Sequence, residues 1–180
     1  MEMSCIFFLN NMCIKYLNKL SVAGLVFFVI FLIDQYTKHL VVINLAFSAR
    51  TICFIPGLFN LVYVENYAAA FGFLSFIPVG VRLKFLLGLN VLACAFLLVY
   101  MLQIGNFEIK GDFWGFSAMI GGGVSNMYDR IVYGYVIDFF DIYFMNYHWP
   151  TFNCADIFIV LGAGCLVYYH VSSLRERKAN

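Results

Sequence analysis

Apolar residues gather in four long stretches, with charges at or near their ends. The stretches run roughly from Leu20 to Leu40, Val81 to Leu102, Phe113 to Asp129 and Ala155 to Val171. A bilayer's hydrocarbon core is about 30 Å thick and a helix rises about 1.5 Å per residue, so each stretch predicts a membrane-crossing helix. The third is the weakest, because it is rich in glycine. The outer segment from about residue 43 to 79 has a different pattern. Its "TICFIPGLFNLVYVEN" is β-branched and aromatic and is broken by Pro56-Gly57, which predicts strands about a turn. Both faces of "LFNLVYVE" carry apolar side chains. That strand is therefore expected to lie on the bilayer surface, with its aromatics at headgroup depth. The stretch Ile131 to Asn153 carries Tyr133, Tyr135, Tyr143, Tyr147, His148 and Trp149 and reads as an interfacial loop. With no repeat and no low-complexity linker, residues 1–180 read as one integral membrane domain: all-α with a small β element.

Composition agrees. The chain is 63% hydrophobic and 12% charged, with a mean hydropathy of +0.87, where soluble domains are about 45–50% apolar. A net charge of +1 and the lack of a long basic run exclude a nucleic-acid footprint. The six cysteines form no CxxC pair, so zinc and thioredoxin-like readings are weak, and no metal or cofactor is expected. Cys94 and Cys165 read as small hydrophobes in apolar runs, while Cys53 and Cys154 could meet outside the membrane. Lys15 and Lys19 resemble the start of a signal peptide, but no A-x-A-like cleavage site follows, so a retained first helix fits better. The first 20 residues receive no role. With the N-terminus inside, Lys15, Lys19, Lys110, Arg175, Arg177 and Lys178 fall inside. Lys38, Arg50, Arg82, Lys84 and Arg130 then fall outside. The "RERK" at Arg175 to Lys178 decides for both termini cytoplasmic.

The polar residues then share one level, the outer ends of the helices. Asp34 and Lys38 are four apart on one helix face. Asn126, Asp129 and Arg130 share another, and Asn153 and Asp156 are three apart. Asp138 sits in the loop after the third helix, and Glu65 and Asn66 end the strand region. A charge at bilayer depth costs about 2.5–3.5 kcal/mol unless it is paired. The plain reading is a set of interfacial salt bridges. Yet if Lys38 takes Asp34, Arg130 takes Asp129, and Arg82 and Lys84 snorkel as anchors, Asp138 and Asp156 are left with each other. Two carboxylates in one apolar site share a proton and titrate as a unit. Such a pair can activate a water with one carboxylate and polarise a carbonyl with the other, which suggests peptide hydrolysis at the membrane surface. Ser117, Gly121 and Ser125 form a small-residue stripe that lets helices approach closely, and Gly122, Asn126 and Arg130 form the next.

At these residues the chain resembles the lipoprotein signal peptidase family, also called signal peptidase II. The matching pieces, in the family's order, are "DQYTK" (Asp34–Lys38), "NYAAAF" (Asn66–Phe71), "GGGVSNMYDR" (Gly121–Arg130), "GYVIDF" (Gly134–Phe139) and "FNCADI" (Phe152–Ile157). The resemblance implies four transmembrane helices, a β-rich cradle on the outer membrane surface, and an aspartic endopeptidase without metal. It implies as substrates lipidated prolipoproteins, cut before the diacylglyceryl-modified cysteine. It maps the catalytic pair to Asp138 and Asp156, and the supporting residues to Asp34, Lys38, Asn66, Asn126, Asp129, Arg130 and Asn153. A peptide-like inhibitor placing a hydroxyl between the carboxylates should block such a site. Ala68 stands where the family has glycine. Asp141 matches no motif and reads as solvated. Other classes fit less well. A proton-coupled transporter would place its acids near the bilayer midplane. The D-x-x-D-G…A-R pattern of metal-dependent phosphatidyltransferases is absent, and so is the G-x-G-D of presenilin-like proteases. A non-enzymatic membrane subunit is the remaining alternative.

Overall fold

In the computed structural model, which describes residues 2–46, 51–68, 76–103 and 111–179, three helices carry most of the apolar sequence. They are α1 (Glu2–Val41), continued by a wider π-helical turn over Val42–Ala46, α2 (Val79–Gln103) and α4 (Cys154–Ala179). Within them Leu20–Ala46, Val79–Gln103 and Cys154–Glu176 are long and apolar enough to cross a membrane. Their outward side chains, among them Phe28, Leu92, Phe96, Val160 and Val167, are exposed, as a lipid-facing surface requires. Arg50, Lys110 and Ala69 to Phe71 of the "NYAAAF" piece lie outside the described residues.

The fourth helix, α3 (Gly111–Val132), packs against α1, α2 and α4 together. Its three consecutive glycines explain how. Successive helical residues point about 100° apart, so each glycine meets a different neighbour. Gly121 faces Ile30 of α1, Gly122 the Ala155 carbonyl of α4, and Gly123 Cys94 and Asn90 of α2. One turn and more away, Gly115 and Gly162 face each other; a Cβ on Gly115 would lie 2.8 Å from the Gly162 carbonyl oxygen. Gly122→Val should therefore lower stability by about 1–3 kcal/mol, the usual cost of overpacking a tight contact. Gly24→Val, with nothing within 4 Å of its added Cβ, should change little. Thermal melts of the two variants in detergent check this, and equal melting points would refute it.

Four antiparallel strands form a sheet in the order β1-β2-β3-β4: Ile52–Ile55, Phe59–Asn66, Val136–Phe144 and Tyr147–His148. Gly57, at φ +81°, turns β1 into β2. The expected strands about Pro56-Gly57 are thus present, but half of the sheet comes from the stretch read as an interfacial loop. Asp138 lies in a strand, opposite Val64 of β2. The reason is burial. The first four residues of β3 are all buried, so they lack the apolar–polar alternation that marks a half-solvated strand. Phe140 and Phe152 exchange backbone hydrogen bonds at 2.9 and 3.2 Å. That staple lays the start of α4 beside β3. Val41, Leu45 and Phe139 form the apolar cluster where the end of α1 meets the sheet.

Arg82 does not snorkel. It is 7% exposed, one turn before buried Leu86 on the inward face of α2, and its Nε has no partner among the described residues. Lys84, two residues on, is exposed. Cys53 and Cys154 are both free thiols. Cys53 is exposed on β1, and Cys154 Sγ accepts a 3.5 Å hydrogen bond from Thr37 Oγ1.

Candidate active site

The site is built on one buried lysine. Lys38 Nζ lies 2.6 Å from Asp34 Oδ2 and 2.7 Å from Asp129 Oδ2, and it donates to Asn126 Oδ1 at 3.1 Å. An ammonium has three protons, and all three are used. The expected Asp34–Lys38 pair is present. The expected Arg130–Asp129 pair is not. Neighbours on a helix point about 100° apart, so Asp129 turns to α1 while Arg130 borders the cavity. Asp34 also accepts from Ser125 Oγ at 2.7 Å and from the Ala155 amide at 2.8 Å. Asp129 accepts from Gln35 Nε2 at 2.8 Å and from the Ile137 amide at 3.2 Å. This charged floor therefore ties α1 and α3 to the start of α4 and to β3. Gln35 and Ser125 take part without having been singled out as polar partners.

Asparagines stand on the floor and hold the two remaining carboxylates. Asn153 caps α4: its Oδ1 accepts from the Asp156 amide at 3.0 Å, and Asp156 Oδ2 accepts from the Asn153 amide at 3.2 Å. This is a reciprocal capping box. Asn153 Nδ2 reaches Asp138 Oδ1 at 2.7 Å, and Asn66 Nδ2 reaches Asp138 Oδ2 at 2.8 Å. Asn126 Nδ2 donates to Asp156 Oδ1 at 2.8 Å. Asp138 and Asp156 are thus not left with each other alone. Each oxygen has an amide donor, and among the described residues no hydrogen bond joins the two carboxylates. Amides orient a carboxylate without supplying a full positive charge. Asp138, in its strand, is accordingly pushed up to about 7, chiefly by burial and also by the charge of Asp156, against the pull of Asn66, Asn153 and Lys38.

A cavity of about 1200 Å³ opens over both carboxylates. Asn66, Asn126 and Arg130 line its polar end, and Ile157, Val160 and Leu161 extend it along α4. His148, Trp149 and Pro150 border it on the β4 side. Among the described residues the Arg130 guanidinium makes one hydrogen bond, a 3.5 Å contact from Nη1 to the Asn126 carbonyl. Ala68, at the position of the family's glycine, has no positive φ. Its amide donates to Asn66 Oδ1 at 3.0 Å, so the turn that aims Asn66 forms with alanine. At the rim Glu65 accepts from the Tyr63 and Tyr67 hydroxyls at 3.0 and 2.6 Å, which hold its carboxyl below the usual range.

Asp141 is not solvated. It is 5% exposed, because it pairs across the sheet with Asn60 and lies against His148. Oδ2 accepts from Asn60 Nδ2 at 3.0 Å, and Oδ1 lies 2.7 Å from His148 Nδ1. Among the described residues no group of three or more His, Cys, Asp or Glu is placed to hold a metal ion.

Comparison with known proteins is consistent across sequence and fold. The family model "Signal peptidase (SPase) II" matches residues 26–172. A protein named lipoprotein signal peptidase from Solibacter usitatus is 36% identical over 151 residues, covering 84% of this chain and 90% of that protein. One of the same name from Haemophilus influenzae is 43% identical over 139 residues, covering 77% and 79%. A solved structure described as a bacterial membrane enzyme superposes with a TM-score of 0.74 over 89% of this chain and 93% of the other, at 21% identity.

Proposed function

Because the chain belongs to the signal peptidase II family, we propose that it removes the signal peptide of bacterial prolipoproteins, as an aspartic endopeptidase using Asp138 and Asp156. The observation that carries the aspartic reading is the way these two carboxylates are held. Both sit at the polar end of one cavity, fixed by amides rather than by cations. A water between them loses a proton to the ionised carboxylate as its oxygen attacks the scissile carbonyl carbon. The protonated carboxyl gives its proton to the carbonyl oxygen. The tetrahedral species then collapses, the C–N bond breaks, and the departing amine takes a proton from the pair. Asp34, Lys38, Asn66, Asn126, Asp129 and Asn153 support the pair by fixing the elements that carry it. Arg130 offers the cavity a positive charge.

In this reading α3 is a fourth crossing. Its 22 residues give a length of about 33 Å, and its packing among the three apolar spans shields its polar face. The sheet lies on the outer surface of the cytoplasmic membrane, and both termini are cytoplasmic. Reporter tags fused at the C-terminus and inserted near Pro56 should thus be reached from opposite sides, the first only from the cytoplasm. An external C-terminus would place the carboxylates on the wrong side and refute the orientation.

The direct test is cleavage of a lipidated precursor by the purified chain, followed by gel shift. Cleavage should survive EDTA. A peptide-like inhibitor carrying a hydroxyl in place of the attacking water should stop it. The unlipidated precursor should be cut poorly, because the acyl chains hold the scissile bond at membrane-surface depth. Loss of activity in EDTA that is restored by magnesium or zinc would overturn the aspartic mechanism. The pH profile gives a second check. A group raised to about 7 keeps its proton below that pH and loses it above. If Asp138 is the acid, kcat/KM falls as pH rises through about 7. A profile flat to pH 9 would remove Asp138 from that role.

A further inference from the structure

The buried Asp141 and the histidine it holds have no part in the chemistry above, yet His148 borders the same cavity as the two catalytic carboxylates. We propose that His148 is a substrate-binding residue, whose Nε2 accepts a hydrogen bond from a main-chain N–H of the extended peptide in the cavity, and that Asp141 is its positioning residue. The assignment rests on the protease reading. A carboxylate can only accept, so the 2.7 Å contact with Asp141 Oδ1 requires the proton on His148 Nδ1. In the neutral ring this leaves the lone pair on Nε2, on the other side of the imidazole.

Two further contacts make the orientation rigid. Asn60 fixes the second oxygen of Asp141, and the Tyr143 ring stacks on the imidazole at 5.1 Å and 11°. Tyr143 is itself anchored, since its hydroxyl accepts from the Gly57 amide at 2.8 Å. The His148 side chain is nevertheless 55% exposed, and among the described residues Nε2 has no partner. A ring held on one edge and open on the other, beside a cavity that takes a peptide, is arranged to meet main chain. β4 is also the edge of the sheet, where an extended chain lies naturally.

The test separates the two edges of the ring in the full-length chain. His148→Asn can keep an amide N–H on Asp141, in the place of Nδ1, but has nothing at Nε2. His148→Gln places an amide oxygen near Nε2. With a lipidated precursor, His148→Asn should raise KM about tenfold, the share of one hydrogen bond. It should leave kcat within about twofold and the melting temperature unchanged, and His148→Gln should recover most of the loss. Precursor Kd, read in the Asp156→Asn background where nothing is cut, should rise in parallel. Cleavage with KM and Kd unchanged in His148→Asn overturns the assignment. So does a loss shared equally by both variants and matched by a lower melting temperature, which would make His148 a structural tether only. Failure of the unmodified chain to cut the precursor overturns the protease reading instead, and the Kd comparison then still decides whether His148 binds the peptide.

Discussion

Asp138→Asn and Asp156→Asn are each expected to reduce cleavage of a lipidated precursor by about 10⁴-fold while leaving the protein folded in the membrane. The size follows from the two roles. Removing a positioned acid or base costs about 10²–10⁴-fold, and groups that act as one unit lose nearly everything when either is removed. The double variant should therefore be little worse than either single one. The fold should survive because the charged floor of Lys38, Asp34 and Asp129 lies beneath the pair and does not include it. Asparagine also keeps the shape of each side chain and one accepting oxygen for the amide donors around it. Asp141→Asn is the contrast. It weakens a buried contact with Asn60 and His148, so it should cost about 1 kcal/mol of stability and raise KM through His148, with kcat largely kept. Single-turnover cleavage and melting curves on the three variants distinguish these outcomes. Substantial turnover by either Asp138→Asn or Asp156→Asn would rule out the mechanism.

What the sequence made legible follows from which signals are local. Apolar runs at helix length, the i,i+4 spacing of Asp34 and Lys38, and the turn at Pro56-Gly57 each depend on residues close in the chain. All three appear in the structure. The ordered motifs pointed to Asp138 and Asp156, which the fold brings to one cavity. Long-range partners were not legible. Lys38 serves two carboxylates because α1 and α3 lie side by side, and nothing in the spacing of Asp129 and Arg130 reveals that. Strand β3 was hidden because burial on both sides of its first half erases the period of two. Arg82 was misplaced for a similar reason: an arginine near a helix end looks like an anchor until the helix face it occupies is known. Two more local signals stand in the sequence. Asn153 and Asp156 stand at the spacing of a capping box before an apolar run. Asp141, between Phe140 and Ile142, shares the setting that singled out Asp138 between Ile137 and Phe139.

Lys38→Met should have the largest effect on the fold itself. Lys38 is 1% exposed, and its ammonium lies between the carboxylates of Asp34 and Asp129, two residues that are completely buried. Methionine fills much of the same volume but carries no charge, so it leaves Asp34 and Asp129 facing each other with no cation between them. Breaking a buried pair in this way costs about 3–5 kcal/mol, because the partner charge remains uncompensated. Here two partners are stranded, and Asn126 loses the donor that fixes its Oδ1. The amide that holds Asp156 would turn more freely, so cleavage should fall even in the fraction that folds. The expected result is a melting temperature lower by roughly 10 °C or more in detergent, with little protein accumulating in cells. Removing the charges together tests the cause. In Lys38→Met with Asp34→Asn and Asp129→Asn no carboxylate is left stranded, so part of the lost stability should return. Activity should stay low, because Asn126 is still unsupported. If Lys38→Met alone melts with the unmodified protein, or if the triple variant is less stable than the single one, the ammonium is not what holds the floor together.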